Sequence, residues 1–503
     1  MRSFKVLTIA AIALATVTAA QAELQNVELD GSLRIRGNWF DNDDNLAING
    51  GEDAAFVEQR TRLGVKADFT DDVSTYIEFD AYNNWGDSFR SNYVTGIDGA
   101  GAADDVALYQ AYIEVNNAWG LPIRSRIGRQ EIEFGSEWLV GNQDASSIFT
   151  GLSFDGIRTT YATDSFSVDF LSLKMAESFN DFGDEDVNLW GLYGSYLGLE
   201  DWQFDLYWLF VQEDLDRNLG TANGSGIGGA VAGGFLPVLP VSDDADLHTI
   251  GLRGAGEIGQ FDFEAEAAYQ FGDADAVGRF FTGAIIPPFV RYGDDEAEFE
   301  NFGANLEVGY TFDMTYSPRI YVGGAYLGGE DNRDITFWQW LWGGIWPFYQ
   351  GEASVSFNRL FSNWEYSEFM ENTDLSNAWL VRGGVSANPT EDIDVLLAVT
   401  YFESLEEFDD TYPDYFLWGN RLTWFSPLSW ITEPGETSHG TEVGLYVTYH
   451  YTEDLSFEVG YAHLFVGEGL EDGSYSANNG LGFNGGTGDD DADYVYLQTM
   501  ISF

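Results

Sequence analysis

Cations are scarce in this chain, and their spacing is the first feature of it that could do chemistry. Lysine and arginine number 22 against 83 aspartates and glutamates, for a formal net charge of −61. Yet in VEQRTRLGVKADFTDD (57–72), Arg60, Arg62 and Lys66 stand at even positions, and Val57, Leu63, Val65 and Phe69 at odd ones. Side chains of a strand alternate between its two faces, so the cations share one face with Glu58 and Asp68. The parity recurs: Arg34 and Arg36 oppose Leu33 and Ile35, Arg124 and Arg126 oppose Ile123 and Ile127, and Arg158 opposes Ile157. Half the arginines of the mature chain fall within residues 23–160. Two chemistries fit such rows. A basic ladder on one wall of a passage concentrates anions by its local potential. Alternatively, the arginines pair across strands with Glu58, Asp68, Glu78, Asp80 and Glu114, and hold the wall together.

The elements that must position these residues are strands. Period-two alternation marks eighteen segments, near 27–40, 55–69, 73–85, 106–117, 122–132, 152–163, 164–175, 186–199, 202–214, 244–259, 260–271, 297–313, 318–329, 374–388, 392–404, 437–452, 454–466 and 491–503. Their links alternate between short ones, such as TDD (70–72) and TED (452–454), and long ones, such as 215–243 and 330–373. That pattern predicts an all-β fold, an 18-stranded antiparallel transmembrane β-barrel with short periplasmic turns and long extracellular loops. Lipid cannot satisfy backbone polar groups, so a sheet that spans it must close on itself. Eighteen strands enclose more space than side chains fill, and a water-filled passage is expected. Trp39, Trp85 and Trp202 read as interfacial anchors. Arg129 breaks the parity of its strand, being either past the membrane edge or after a bulge.

The chain's two ends agree with this. MRSFKVLTIAAIALATVTAAQA (1–22) has a positive start, a short apolar stretch and the small-residue Ala20-Gln21-Ala22, so it reads as a signal peptide ahead of a barrel over 23–503. No later run is long and apolar enough for a membrane helix. Cysteine is absent, which excludes disulfides and thiol-based sites, and 16% aromatic residues exclude disorder. The last strand, DYVYLQTMISF, carries Val495, Leu497, Ile501 and Phe503 on one face. A terminal aromatic of this kind is what outer-membrane assembly machinery reads.

Four stretches carry a family resemblance: RTRLGVKADFTDDVSTYIEFDAY (60–82), LYQAYIEV (108–115), RIGRQEIEFGSEWLVGNQD (126–144) and FDGIRTTY (154–161). Together they resemble the alginate-export porins of Gram-negative outer membranes, most densely over 27–175, with GRQEIEFG the most specific piece. The resemblance implies a monomeric 18-stranded barrel that passes an anionic polyuronate through an arginine-lined constriction. It assigns Arg60, Arg62, Arg126, Arg129 and Arg158 to that path, while Arg34, Arg36, Lys66 and Arg124 join them from strand parity alone. Few basic residues follow residue 160, so the expected pore is basic on one wall only.

The remaining constellations point to little else. The carboxylate-rich loops 41–54, 405–436 and 467–490 offer hard oxygen ligands that suit calcium, but DNDDNLAINGGED lacks the spacing of an EF-hand, and no other cofactor or metal is called for. TFWQWLWGGIWPFY (336–349) and YFLWGNRLTWFSPLSW (415–430) could stack on sugar rings or cover the barrel mouth. His248, His439, His450 and His463 stand in no nucleophile or metal motif, which argues against an outer-membrane hydrolase. An acidic chain without a phosphate-binding glycine loop repels nucleic acid. The expected function is a passive outer-membrane channel for anionic solutes, oligo- or polyuronates among them. A general or cation-preferring porin is the alternative, because of the acidic loops.

Overall fold

The computed structural model describes residues 24–41, 54–86, 106–144, 150–177, 186–213, 245–276, 280–281, 290–291, 297–329, 356–370, 375–407, 428–429, 431–432, 436–470, 475–477, 482–484 and 491–503. The signal segment 1–22, the tryptophan-rich stretch 336–349, nearly all of 415–430 and most of the acidic loop residues lie outside them.

Eighteen strands form one sheet: β1 (Asn26–Asp41), β2 (Ala54–Thr70), β3 (Val73–Asn84), β4 (Ala107–Val115), β5 (Ile123–Gln130), β6 (Phe154–Ala162), β7 (Phe166–Glu177), β8 (Asp186–Leu199), β9 (Trp202–Glu213), β10 (Ala245–Ile258), β11 (Phe261–Ala276), β12 (Ala297–Thr311), β13 (Arg319–Leu327), β14 (Ala378–Thr390), β15 (Ile393–Ser404), β16 (Ser438–His450), β17 (Leu455–Val466) and β18 (Ala492–Ser502). Each pairs antiparallel with the next. β18 returns to β1 in register from Ser32↔Ser502 to Asp41↔Asp493, so the sheet has no edge. At that seam Phe503 and Gly31 exchange backbone hydrogen bonds of 2.9 and 3.0 Å. A side chain at Gly31 would strike the Phe503 ring, which lies across the first strand.

Alternation decides what each strand shows to either side. Leu29, Leu206 and Leu252 are more than half exposed, and with Leu63, Val322, Leu397 and Leu497 they form an outward apolar belt. Aromatic pairs rim the belt. Trp202 stacks on Phe204 and Phe263 beside the short turns, while Trp190, Phe210, His248 and Phe271 stack in series towards the opposite end. A closed barrel wrapped in such a belt is built for a lipid bilayer, and in a Gram-negative envelope that bilayer is the outer membrane.

The interior departs from the expected open passage. Two stretches between strands fold inward and pack on each other. The first, 131–144, follows β5, which ends at Gln130, short of the expected 132. The second, 356–370, belongs to the long link between β13 and β14. Phe361 donates its backbone N–H to Leu139 at 2.8 Å, and Gly141 donates to Phe361 at 2.8 Å. Trp138, fully buried, stacks on Phe357 at 5.7 Å and donates its indole N–H to the Tyr366 hydroxyl at 2.8 Å. Ile132, Leu139, Leu360 and Met370 pack around them against the inner wall. These side chains are too apolar to stand in water at a barrel mouth, and burying them together inside the lumen removes that exposure.

Candidate functional site

Where the first inward stretch ends, four arginines converge. Arg34 and Arg36 on β1 and Arg60 and Arg62 on β2 all turn into the lumen and are nearly or fully buried. The register sets Arg34 opposite Arg60, so like charges face each other across neighbouring strands. A carboxylate between them relieves the repulsion. Asp144, at the end of the inward stretch, accepts hydrogen bonds from Arg60, from Arg62 at 3.0 Å and from Arg34 at 3.4 Å.

Other partners hold each guanidinium from the wall side. Arg34 and Arg36 donate to Gln498 of β18 at 2.7 and 3.0 Å, and Arg36 lies over the Tyr496 ring at 4.2 Å. Arg62 donates to Asp80 at 2.8 Å and lies 3.9 Å above the Tyr109 ring. Tyr109 in turn donates to Glu131 at 2.5 Å. Burial pushes the Glu131 carboxyl above its ordinary range, against the pull of the Tyr109 hydroxyl and the Arg62 charge. The chain passes so close to Arg62 at Gly151, which has φ +73°, that a side chain there would meet the guanidinium.

The other sequence-derived candidates are spread out. Arg126 lines the lumen beside Glu114, donating at 2.6 Å, and Arg158 donates to Asp169 at 2.7 Å while lying 4.9 Å above the Phe134 ring. Arg124 shares the inward parity of Arg126 and makes no ion pair among the described residues. Lys66 sits near the short-turn end, half-buried, 3.5 Å from Asp68 and 3.8 Å from Glu28. Arg129 is not in the lumen. It shares the outward parity of Ile127 and pairs two-pronged with Asp155 at 2.8 and 2.6 Å on the outside of the wall.

Single arginines also stand on later strands, held by their own partners. Arg253 on β10 donates to Asp205 at 2.9 Å and Glu264 at 2.8 Å. Arg319 on β13 donates to Asp262 at 3.0 Å and Glu307 at 2.9 Å. Arg382 on β14 reaches the Glu365 carbonyl at 3.0 Å and the Tyr321 hydroxyl at 3.3 Å. Buried Arg359 belongs to the second inward stretch itself, over the Tyr366 ring at 5.0 Å. Each comes singly on its strand or loop, without the row that made the first group visible in the sequence.

Carboxylates gather below the second inward stretch. A cavity of about 630 Å³ on the side of the short turns is lined by Glu307, Glu365, Glu368, Asp394, Glu442 and Glu458, with Arg319 and Arg382 as its cations. Glu442 anchors the stretch above it, accepting from the backbone N–H of Glu368 at 3.0 Å and of Phe369 at 3.3 Å and from the Ser367 hydroxyl. Burial, with Glu365 and Glu442 close by, pushes the Glu368 carboxyl up to about 8. Sequence spacing also missed a serine–histidine contact: the Ser404 hydroxyl lies 2.7 Å from His439 Nε2. Both residues are shut off from solvent. No group of three or more His, Cys, Asp or Glu among the described residues is arranged to hold a metal.

The sequence matches the alginate export family over residues 25–484, nearly its whole length. The chain belongs to that family. Closed strand pairing, an apolar outer belt and this membership make it an outer-membrane channel protein. No curated protein matches it. Solved structures similar to it include OccK8 (OprE) of Pseudomonas aeruginosa, with 11% identity, TM-score 0.49 and coverage of 95% of this chain and 98% of that one. OccAB1 of Acinetobacter baumannii has 12% identity and TM-score 0.49, covering 97% and 100%. OmpT of Vibrio cholerae has 10% identity and TM-score 0.38, covering 96% and 100%. Likeness at that level identifies neither solute nor mechanism.

Proposed function

We propose that this member of the family passes anionic solutes, with carboxylated sugars of the alginate type as the class that fits best. The observation that carries this reading is the convergence of Arg34, Arg36, Arg60 and Arg62 on one spot of the lumen wall. Arginine recognises carboxylates through a planar two-pronged fork and keeps its charge at any physiological pH. Low-dielectric walls around the lumen strengthen that field relative to the screened charges of the outer loops. Arg126 and Arg158 continue the basic surface along the wall, and Arg253, Arg319 and Arg382 extend it around the lumen. Transport is passive. The chain works as a monomer in lipid, and Phe503 at the barrel seam serves as the signal to the assembly machinery. The Ser404–His439 contact is closed to solvent and gives that pair no catalytic role in this reading.

One observation favours a second reading. Carboxylates outnumber the two arginines around the cavity below the inward stretches. A cation-preferring pore follows if that cavity, rather than the arginine cluster, controls passage. A planar bilayer under a potassium chloride gradient separates the two. The proposal expects a reversal potential of anion-selective sign and a current that guluronate or mannuronate oligomers block. Cation selectivity without such block would overturn it in favour of the second reading.

A further inference from the structure

The carboxylate that the arginine cluster holds does not belong to the barrel wall. Asp144 ends an inward stretch, whereas the groups that fix the guanidinium planes, Gln498, Asp80 and the Tyr109 ring, stand on β18, β3 and β4. Arg34, Arg36 and Arg62 therefore have a scaffold independent of Asp144. We propose that Asp144 is a built-in competitor for the permeating anion: its carboxylate occupies the place that the carboxylate of a uronic acid takes, and it thereby sets how tightly the channel holds its solutes. This inference rests on the proposed anion pathway and names the residue that tunes it.

Three features of the geometry support the exchange. Both oxygens of Asp144 are engaged, Oδ1 by Arg34 and Arg60 and Oδ2 by Arg62, so one carboxylate is met by three guanidinium groups through charge-assisted hydrogen bonds. The side chain keeps 18% of its surface open, while those of the three arginines keep 2–7%, so the cluster is approached from the Asp144 side. Asp144 is also delivered by a turn of the inward stretch rather than by a strand of the wall. Its backbone N–H is held by the Asn142 side chain at 3.0 Å, and Gln143 beside it carries φ +50°. A weakly binding channel needs such a device, because an anion site that let nothing leave would stop the flow. An internal carboxylate that returns as the solute moves on lowers the barrier to release.

The test uses the mature full-length protein in planar bilayers, with glucuronate as the probe and glucose as the neutral control. Asp144→Asn removes the competing charge and keeps the size. Its half-blocking concentration for glucuronate should fall about threefold or more, the effect of one unit charge nearby in a wet lumen. Glucose should behave as in the wild type. Asp144→Glu, which restores a carboxylate, should return towards the wild-type value. Asn142→Ala, which frees the backbone of Asp144 but leaves its charge, should lower the half-blocking concentration by a smaller factor and reads the same exchange should the Asn variant fail to insert. If neither Asp144→Asn nor Asn142→Ala lowers it, while Arg60→Gln still raises it, Asp144 is a structural counter-ion and the inference is overturned with the anion pathway intact. If Arg60→Gln also changes nothing, the anion pathway itself fails.

Discussion

Replacing Arg62 by glutamine removes the best-connected cation of the cluster, and its consequences divide into two that can be measured separately. The first is local stability. Asp80 loses its one charge partner within 3 Å among the described residues, at 2.8 Å, whereas Asp144 keeps Arg60 and Arg34. Breaking a buried pair by removing one member typically costs about 3–5 kcal/mol, so the strand ends around Asp80 should loosen. The second is the potential that a passing ion feels. A unit charge about 8 Å away is worth about 0.5 kcal/mol at the dielectric of water and about 2 kcal/mol at an effective value of about 20. At about 1.4 kcal/mol per tenfold, anion permeation should drop by a factor between about 2 and about 30 and cation permeation should gain by a similar factor, so the anion-to-cation ratio moves by the product of the two. Reversal potentials under a salt gradient read this directly, and heat-modifiable migration on a gel shows that the barrel has closed. Arg62→Lys separates charge from shape, since it keeps the cation and loses the fork over Tyr109, and it should retain most of the selectivity. A folded Arg62→Gln barrel with an unchanged reversal potential would refute the reasoning.

Glu368 should make the second inward stretch pH-sensitive. Its folded value of about 8 lies above the ordinary 4.5, so docking of the stretch is strongest while the carboxyl is protonated. Docking then weakens as pH rises from 4.5 to about 8 and levels off above that, because the charge must be carried beside Glu365 and Glu442. Single-channel conductance should rise over that window in the wild type and stay flat in Glu368→Gln. Trp138→Ala deletes the fully buried indole that joins the two inward stretches, at a cost of about 3–5 kcal/mol, and should raise conductance or its flicker while the gel shift of the closed barrel persists. Deleting Phe503 removes the two backbone bonds to Gly31 and the ring across it, and pulse-labelled cells should show slower insertion of the shortened chain.

All eighteen strands are legible in the sequence because each must show apolar side chains to lipid and polar ones to the lumen, and that demand writes itself as strict alternation. Some boundaries drift where alternation and pairing part company. β5 stops at Gln130, where Ile132 and Phe134 put apolar side chains at the inward parity of Arg124 and Arg126, and those two side chains pack in the lumen filling. β14 runs on through Pro389 to Thr390 by shifting register after Ala387. The inward stretches escaped detection for a related reason. Ile132, Trp138 and Leu139 resemble any apolar residues of a long link, and the partners that bury them, Phe357, Phe361 and Tyr366, come more than two hundred residues later.

Charge shows the same division between local and distant information. Rows such as Arg34–Arg36 and Arg60–Arg62 are visible because two cations on one strand face share a parity. Arg253, Arg319 and Arg382 each stand alone on a strand, so nothing local separates a buried arginine from a solvated one, and only barrel closure shows which partners they meet. Asp144 is the harder case. In the sequence it is one of 83 carboxylates. Its meaning comes from a turn, held by Asn142, that carries it to three arginines on two strands read some eighty or more residues earlier. Wall residues thus follow from periodicity, whereas the group that regulates them depends on where a loop lands. In a barrel of this kind, the strands supply the field and the inward loops decide how much of it a solute meets.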